Sequence, residues 1–98
     1  MTLQAMIKSF RHKGLQKFFE TGSAAGIQTT YATRLRLQLA ALNAAKNSED
    51  LKTPPGWRLH SLQGDMKNRY ALVVSANWRL TFQFVDEDVE LLDYVDYH

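Results

Sequence analysis

Apolar residues recur along this chain at two periods, and the change from one to the other divides it. Near the start, Ile7-Lys8-Ser9-Phe10 alternates apolar with polar, which predicts a short strand. Leu15, Phe18 and Phe19 then fall at i, i+3 and i+4, one face of a helix whose wet side carries Lys13 and Lys17. Gly22 sits where a left-handed residue would end that helix. A second helix follows, with Tyr31, Leu35, Leu39 and Leu42 as its core stripe and Thr29 or Thr30 as its cap. Arg34 and Arg36 lie off the stripe. So does Leu37, a hint of a partner surface. The helix should end within 43–46, and 48–51 adds a turn before Pro54-Pro55-Gly56 resets the chain to extended form.

Beyond Trp57 the period drops to two. Residues 57–61 read as a strand and 64–68 as a turn. Tyr70, Leu72 and Val74 alternate with Ala71, Val73 and Ser75 in a second strand. Trp78, Leu80, Phe82 and Phe84 form one face of a third, with Arg79, Thr81 and Gln83 on the other. Asp86-Glu87-Asp88 turns the chain into a last strand over 89–94. Hairpin connections predict an α+β fold: two N-terminal helices packed on a mostly antiparallel sheet of four to five strands.

Composition narrows the class. At 98 residues there is room for one domain, 1–98, in which 1–5 reads as an extension without a pattern of its own. Hydrophobic residues make up 45% and charged residues 22%, values of an ordinary globular chain. With no cysteine, a disulfide scaffold and a cysteine nucleophile are excluded. No apolar run is long enough for a membrane span and no signal pattern is present, so no membrane partner and a cytoplasmic location are expected. Charge is uneven: 1–60 hold nine Lys/Arg against three acids, while 61–98 hold three against seven. A basic half suits a polyanion such as RNA, and suits a plainly solvated surface as well.

Three places carry candidate chemistry. Arg79 is flanked by core residues, so a rigid strand presents its guanidinium on the opposite face, suited to a phosphate or simply to water. His60 lies between Leu59 and Leu62, and histidine is the residue type suited to moving a proton at physiological pH. The chain closes on Asp96-Tyr97-His98, where Asp96 and the α-carboxylate favour an imidazolium able to act as an acid. His12, His60 and His98 are not at metal-ligand spacing, and no metal or other cofactor is expected. There is no glycine-rich phosphate loop and no nucleophile elbow.

Taken together these segments resemble the HigB toxins of the RelE superfamily, over about 6–98. The resemblance rests on Met6-Ile7-Lys8-Ser9-Phe10 with His12-Lys13-Gly14-Leu15, on Arg58-Leu59-His60-Ser61-Leu62-Gln63-Gly64-Asp65, on Asn77-Trp78-Arg79-Leu80-Thr81-Phe82, and on Asp93-Tyr94-Val95-Asp96-Tyr97-His98. It implies a RelE-like fold and a ribosome-dependent mRNA endonuclease that cuts A-site codons through the RNA's own 2′-hydroxyl, without a metal. It implies Arg79 as the group that stabilises charge on the phosphate. His60, Asp96 and His98 share the proton work, and Tyr97 stacks on or hydrogen-bonds the RNA. Lys8, Arg11, Lys13 and Lys17 become candidates for RNA or ribosome contacts, joined by Lys67 and Arg69 beside the phosphate site. The implied partners are the ribosome with its mRNA and a HigA-like helix-turn-helix antitoxin, through which alone operator DNA is reached. Gln63 stands where the family usually has lysine, Ser61 where it has proline, and Val95 where it commonly has an acid. The alternative these departures motivate is an attenuated or non-catalytic RNA- or ribosome-binding module of the same fold.

Overall fold

A computed structural model describes residues 7–27, 29–45, 48–52, 55–62 and 68–96. Helix α1 (Lys13–Thr21) and helix α2 (Ala32–Ala44) precede four strands: β1 (His60–Ser61), β2 (Arg69–Val73), β3 (Trp78–Val85) and β4 (Asp88–Asp96). The strands form one antiparallel sheet in the order β1-β2-β3-β4. This is the expected α+β arrangement, a meander under two helices.

Each helix has an identifiable cause. α1 begins at His12, whose Nδ1 accepts from the backbone N–H of Leu15 at 2.9 Å. It ends at Gly22, with φ at 81°, a conformation that glycine reaches without a Cβ clash. Its buried residues are Leu15 and Phe18, while Lys13 and Lys17 are exposed as expected. α2 is not capped by a threonine side chain. Residues Thr29–Tyr31 instead form a tight 3-10 turn that leads into the helix, and Tyr31 sits at the N-cap without a side-chain bond. Leu35, Leu39 and Leu42 are buried, and Tyr31 is half-buried. Leu37 is 60% exposed on the outer side.

Two expected strands are shorter than the pattern suggests. The strand over 57–61 shrinks to His60–Ser61, because Pro55–Trp57 is a 3-10 turn and Arg58 takes a left-handed φ of 50°. The segment at 7–10 makes only two parallel bridges to β4, Ile7 with Val89 and Phe10 with Leu92. These bridges matter because β4 carries a bulge beside them. Leu91 has a φ of 56°, and the β3–β4 register shifts between Thr81 and Gln83. The Leu91 N–H donates to Ser9 Oγ at 2.8 Å and the Leu92 N–H to Ser9 O at 3.1 Å. The alternation along β4 restarts there, so Val89, Leu92 and Tyr94 all face the helices.

The core lies between the helices and this sheet face, built on Leu15, Leu35, Leu39, Leu72, Leu80 and Phe82, all nearly or fully buried. One polar side chain is buried with them. Gln38 of α2 is wholly enclosed and donates through Nε2 to the Val73 carbonyl at 2.9 Å. Arg34 Nη1 donates to the next carbonyl, Val74 O, at 3.1 Å. α2 is thereby tied to the end of β2, at the turn that leads into Arg79.

Candidate active site

The sheet face away from the helices carries the first two candidates. His60 pairs with Ala71 on β2, and Arg79 pairs with Val73 of the same strand. Directly paired residues point to the same face, and so do residues two apart on one strand. His60 and Arg79 therefore stand on one face, on opposite sides of β2, on the order of 12 Å apart at Cα from strand spacing and rise. Between them on this face lie Ala71 and Thr81, both buried.

Both side chains are held. The Arg79 Nη1 donates to the carbonyls of Ser75 at 2.7 Å, Trp78 at 3.1 Å and Ala76 at 3.2 Å. Those acceptors belong to the β2–β3 turn, which is closed by bonds from the Val74 and Ser75 N–H groups to Trp78 O. The guanidinium is thus fixed by backbone oxygens, in a plane set by a rigid turn. His60 lies 2.8 Å from the Arg58 carbonyl through Nδ1. A carbonyl can only accept, so Nδ1 carries the proton, and in the neutral ring Nε2 is the nitrogen with a lone pair. The left-handed backbone at Arg58 places that carbonyl beside the ring.

Asp96 is placed differently. It is exposed at the end of β4 and pairs with Trp78, so by alternation it shares the helix face with Tyr94, not the face of Arg79 and His60. Tyr94 is buried, its ring stacked on Trp78 at 4.5 Å and edge-on to His12 at 5.6 Å. Burial pushes its phenol up to about 12, with Tyr31 and the Asp96 carboxylate adding to the rise. Val95 takes the place beside Arg79 on the open face.

Residues 8–98 match the HigB-like toxin family, the RelE-like toxin of the type II toxin–antitoxin system HigB. The chain belongs to that family. It is 41% identical over 93 residues to Endoribonuclease HigB of Proteus vulgaris, covering 95% of this chain and all of that one. It is 35% identical to Toxin HigB-1 of Vibrio cholerae, over 95% of this chain and 98% of the relative. Among solved structures the fold is similar to a chain of the E. coli DinJ–YafQ toxin–antitoxin complex, with a TM-score of 0.59 at 15% identity over 93% and 92% of the two chains. It is also similar to YafQ from E. coli strain BL21(DE3), with a TM-score of 0.55 at 16% identity over 95% and 93%. The RelE-like fold expected for a HigB-family chain is therefore the fold it has.

The remaining candidates of this HigB-family chain scatter. Lys8, Arg11, Lys13 and Lys17 are all exposed, the first two on the segment along β4 and the others on α1. Arg69 is half-buried at the start of β2, its Nε enclosed without a hydrogen-bond partner. Lys67, Gln63, Tyr97 and His98 lie outside the described residues. Among the described residues no three His, Asp or Glu side chains are grouped to hold a metal, and no helix is long and apolar enough to cross a membrane. Sequence reasoning did not find the cluster of His12, Tyr31, Trp78 and Tyr94. Its signal is the β3–β4 register, which the bulge at Leu91 hides from simple alternation.

Proposed function

We propose that the open face of the sheet is where RNA is cut, and that the cut is made in the mRNA codon held in the ribosomal A site. The chain is a type II toxin with endoribonuclease activity, as its family and its 41% identical relative establish. The residues and the ribosome are the finer reading. One observation carries it: His60 and Arg79 flank β2 on a shared face, and each is fixed by backbone carbonyls.

In this reading RNA supplies the nucleophile. His60 Nε2 takes the proton of the 2′-hydroxyl, whose oxygen bonds to phosphorus while the bond to the 5′-oxygen breaks. Arg79 stabilises the charge that builds on the phosphoryl oxygens in between. Its pre-set orientation means little rearrangement is needed as that charge develops. His98 delivers the proton to the leaving 5′-oxygen, Asp96 favours its imidazolium from the helix side without touching the RNA, and Tyr97 engages the RNA. The site need not be a deep cleft, because the ribosome positions the substrate.

The partner is an antitoxin, here taken to be of the HigA-like helix-turn-helix type and to carry the operator DNA contact. The whole of 1–98 acts as one domain, in the cytoplasm, with 1–5 as an extension. The test is cleavage in a reconstituted translation reaction, mapped by primer extension beside a ribosome-free control. Cuts inside A-site codons that vanish without ribosomes are expected. Ribosome binding without cuts would instead select the non-catalytic binding module motivated by Gln63.

A further inference from the structure

The turn that holds Arg79 is itself held from the helix layer. On β2, Arg69 O accepts from the Leu62 N–H at 2.8 Å, so the carbonyls of Arg69, Ala71 and Val73 face the β1 side of the strand. β1 reaches only to His60, opposite Ala71, and the Val73 carbonyl lies beyond it. Gln38 of α2 supplies its donor, with Nε2 at 2.9 Å from Val73 O. One residue on, the Val74 N–H donates to Trp78 O at 2.9 Å, but the Trp78 N–H turns to Ser75 Oγ at 3.3 Å. The donor to Val74 O is Arg34 Nη1 of α2, at 3.1 Å. From Ser75 onward the donor is Arg79, through Ser75 O, Ala76 O and Trp78 O. The turn carbonyls are thus divided between α2 on one side and Arg79 on the other.

We propose that Arg34 and Gln38 are positioning residues for Arg79: by holding Val74 O and Val73 O they fix the end of β2, and with it the turn carbonyls that aim the guanidinium. Packing does not call for either donor. Gln38 is wholly buried, and its Oε1 is enclosed without a hydrogen-bond partner among the described residues. A leucine there would widen the stripe of Leu35, Leu39 and Leu42 without that desolvation cost. Arg34 is exposed, yet its guanidinium reaches a backbone carbonyl 40 residues away. The turn itself, Ser75-Ala76-Asn77, contains neither glycine nor proline, the two residues that do most to preset a turn. Its shape therefore leans on bonds from outside. Any tilt of the turn passes straight to Arg79, because all three of its printed acceptors ride on 75–78. A donor that must meet charge as it develops loses rate when it is misaimed, while substrate affinity, set by the ribosome, is untouched.

The proposal rests on the reading of Arg79 as the charge-stabilising group, and its test separates the two. Arg34→Ala, Arg34→Lys, Gln38→Met and Arg79→Ala are compared for ribosome-dependent cleavage and for melting temperature. Arg34→Ala and Gln38→Met are then repeated in the Arg79→Ala background. Each of these two is expected to lower kcat roughly 3- to 10-fold, the scale of one lost hydrogen bond, with KM unchanged. Arg34→Lys keeps a donor for Val74 O and should stay near the wild-type rate. In the Arg79→Ala background neither substitution should reduce kcat further, because the group they act through is gone. A loss that multiplies in that background, or that appears in KM, means that the side chain meets RNA or ribosome itself and overturns the proposal. A change confined to melting temperature overturns it too, as does Arg34→Lys as slow as Arg34→Ala. Both variants at the wild-type rate beside a slow Arg79→Ala likewise overturn it and leave Arg79 catalytic. A wild-type rate in Arg79→Ala overturns the catalytic reading of Arg79, and the proposal with it. Arg34 is exposed, so its variants decide the matter if Gln38→Met fails to fold.

Discussion

Arg79 shows how a single side chain is made ready for chemistry. Three turn carbonyls compete for one of its nitrogens, which locks a long, flexible side chain that would otherwise lose rotamer freedom on meeting a phosphate. Arg79→Ala should therefore slow cleavage roughly 10²–10³-fold, as loss of a charge-stabilising donor does, with ribosome affinity nearly unchanged. Arg79→Lys should recover little, because an ammonium lacks the planar fork that fits a phosphate. Single-turnover rates on programmed ribosomes check both. Tyr94 makes a prediction of a different kind. Its pKa is raised from 10.0 to about 12, so between those values the folded chain holds a proton that the unfolded chain has released. Stability is then independent of this group below about pH 10 and falls as pH rises toward about 12. Melting curves across that window should show a steeper decline for the wild type than for Tyr94→Phe; parallel curves would mean the phenol is not shielded.

At the scale of elements, the two helices and the β2–β3–β4 meander were legible because their periods are clean. The stripe of Leu35, Leu39 and Leu42 and the face of Leu80, Phe82 and Phe84 are buried as their spacing demands. What alternation could not reveal is the bulge at Leu91. It reverses which residues of β4 face the helices, and so sends Tyr94 and Asp96 to one side and Val95 to the other. The cause is non-local. Ser9, far away in sequence, binds the Leu91 N–H through its hydroxyl, and its carbonyl binds the next N–H. Likewise Gln38 reads as a polar helix position, yet it is buried because the Val73 carbonyl needs a donor at the end of β2. Neither partner is visible in a local pattern. Ser9→Ala should cost about 1–2 kcal/mol by leaving the Leu91 N–H unpaired. It should slow cleavage more than that loss explains, since the bulge fixes the phase of the strand that bears Asp96. Urea melts paired with cleavage rates test this, and a stability loss without a rate change would separate the bulge from the site.

For the whole molecule, the sequence showed a basic first half but not how it is arranged around the site. His60 and Arg79 occupy one face of the sheet, while Lys13 and Lys17 are exposed on α1, across the sheet from them. A free enzyme gathering RNA into a groove would place its cations around the groove. Cations on the opposite layer fit a protein with RNA on both sides: message against the sheet, ribosomal RNA against the helices. The two layers should then be separable in kinetics. Replacing Lys13 and Lys17 together by glutamine should weaken ribosome association and flatten its dependence on salt by about 1.5 in the log–log slope, the share of two lost phosphate contacts. Cleavage at saturating ribosome should stay near wild type, the reverse of the pattern expected for Arg79→Ala. Binding measured by sedimentation across a potassium chloride series decides the matter. An unchanged slope would return these lysines to ordinary solvated surface and leave the sheet face as the one RNA-facing side of the molecule.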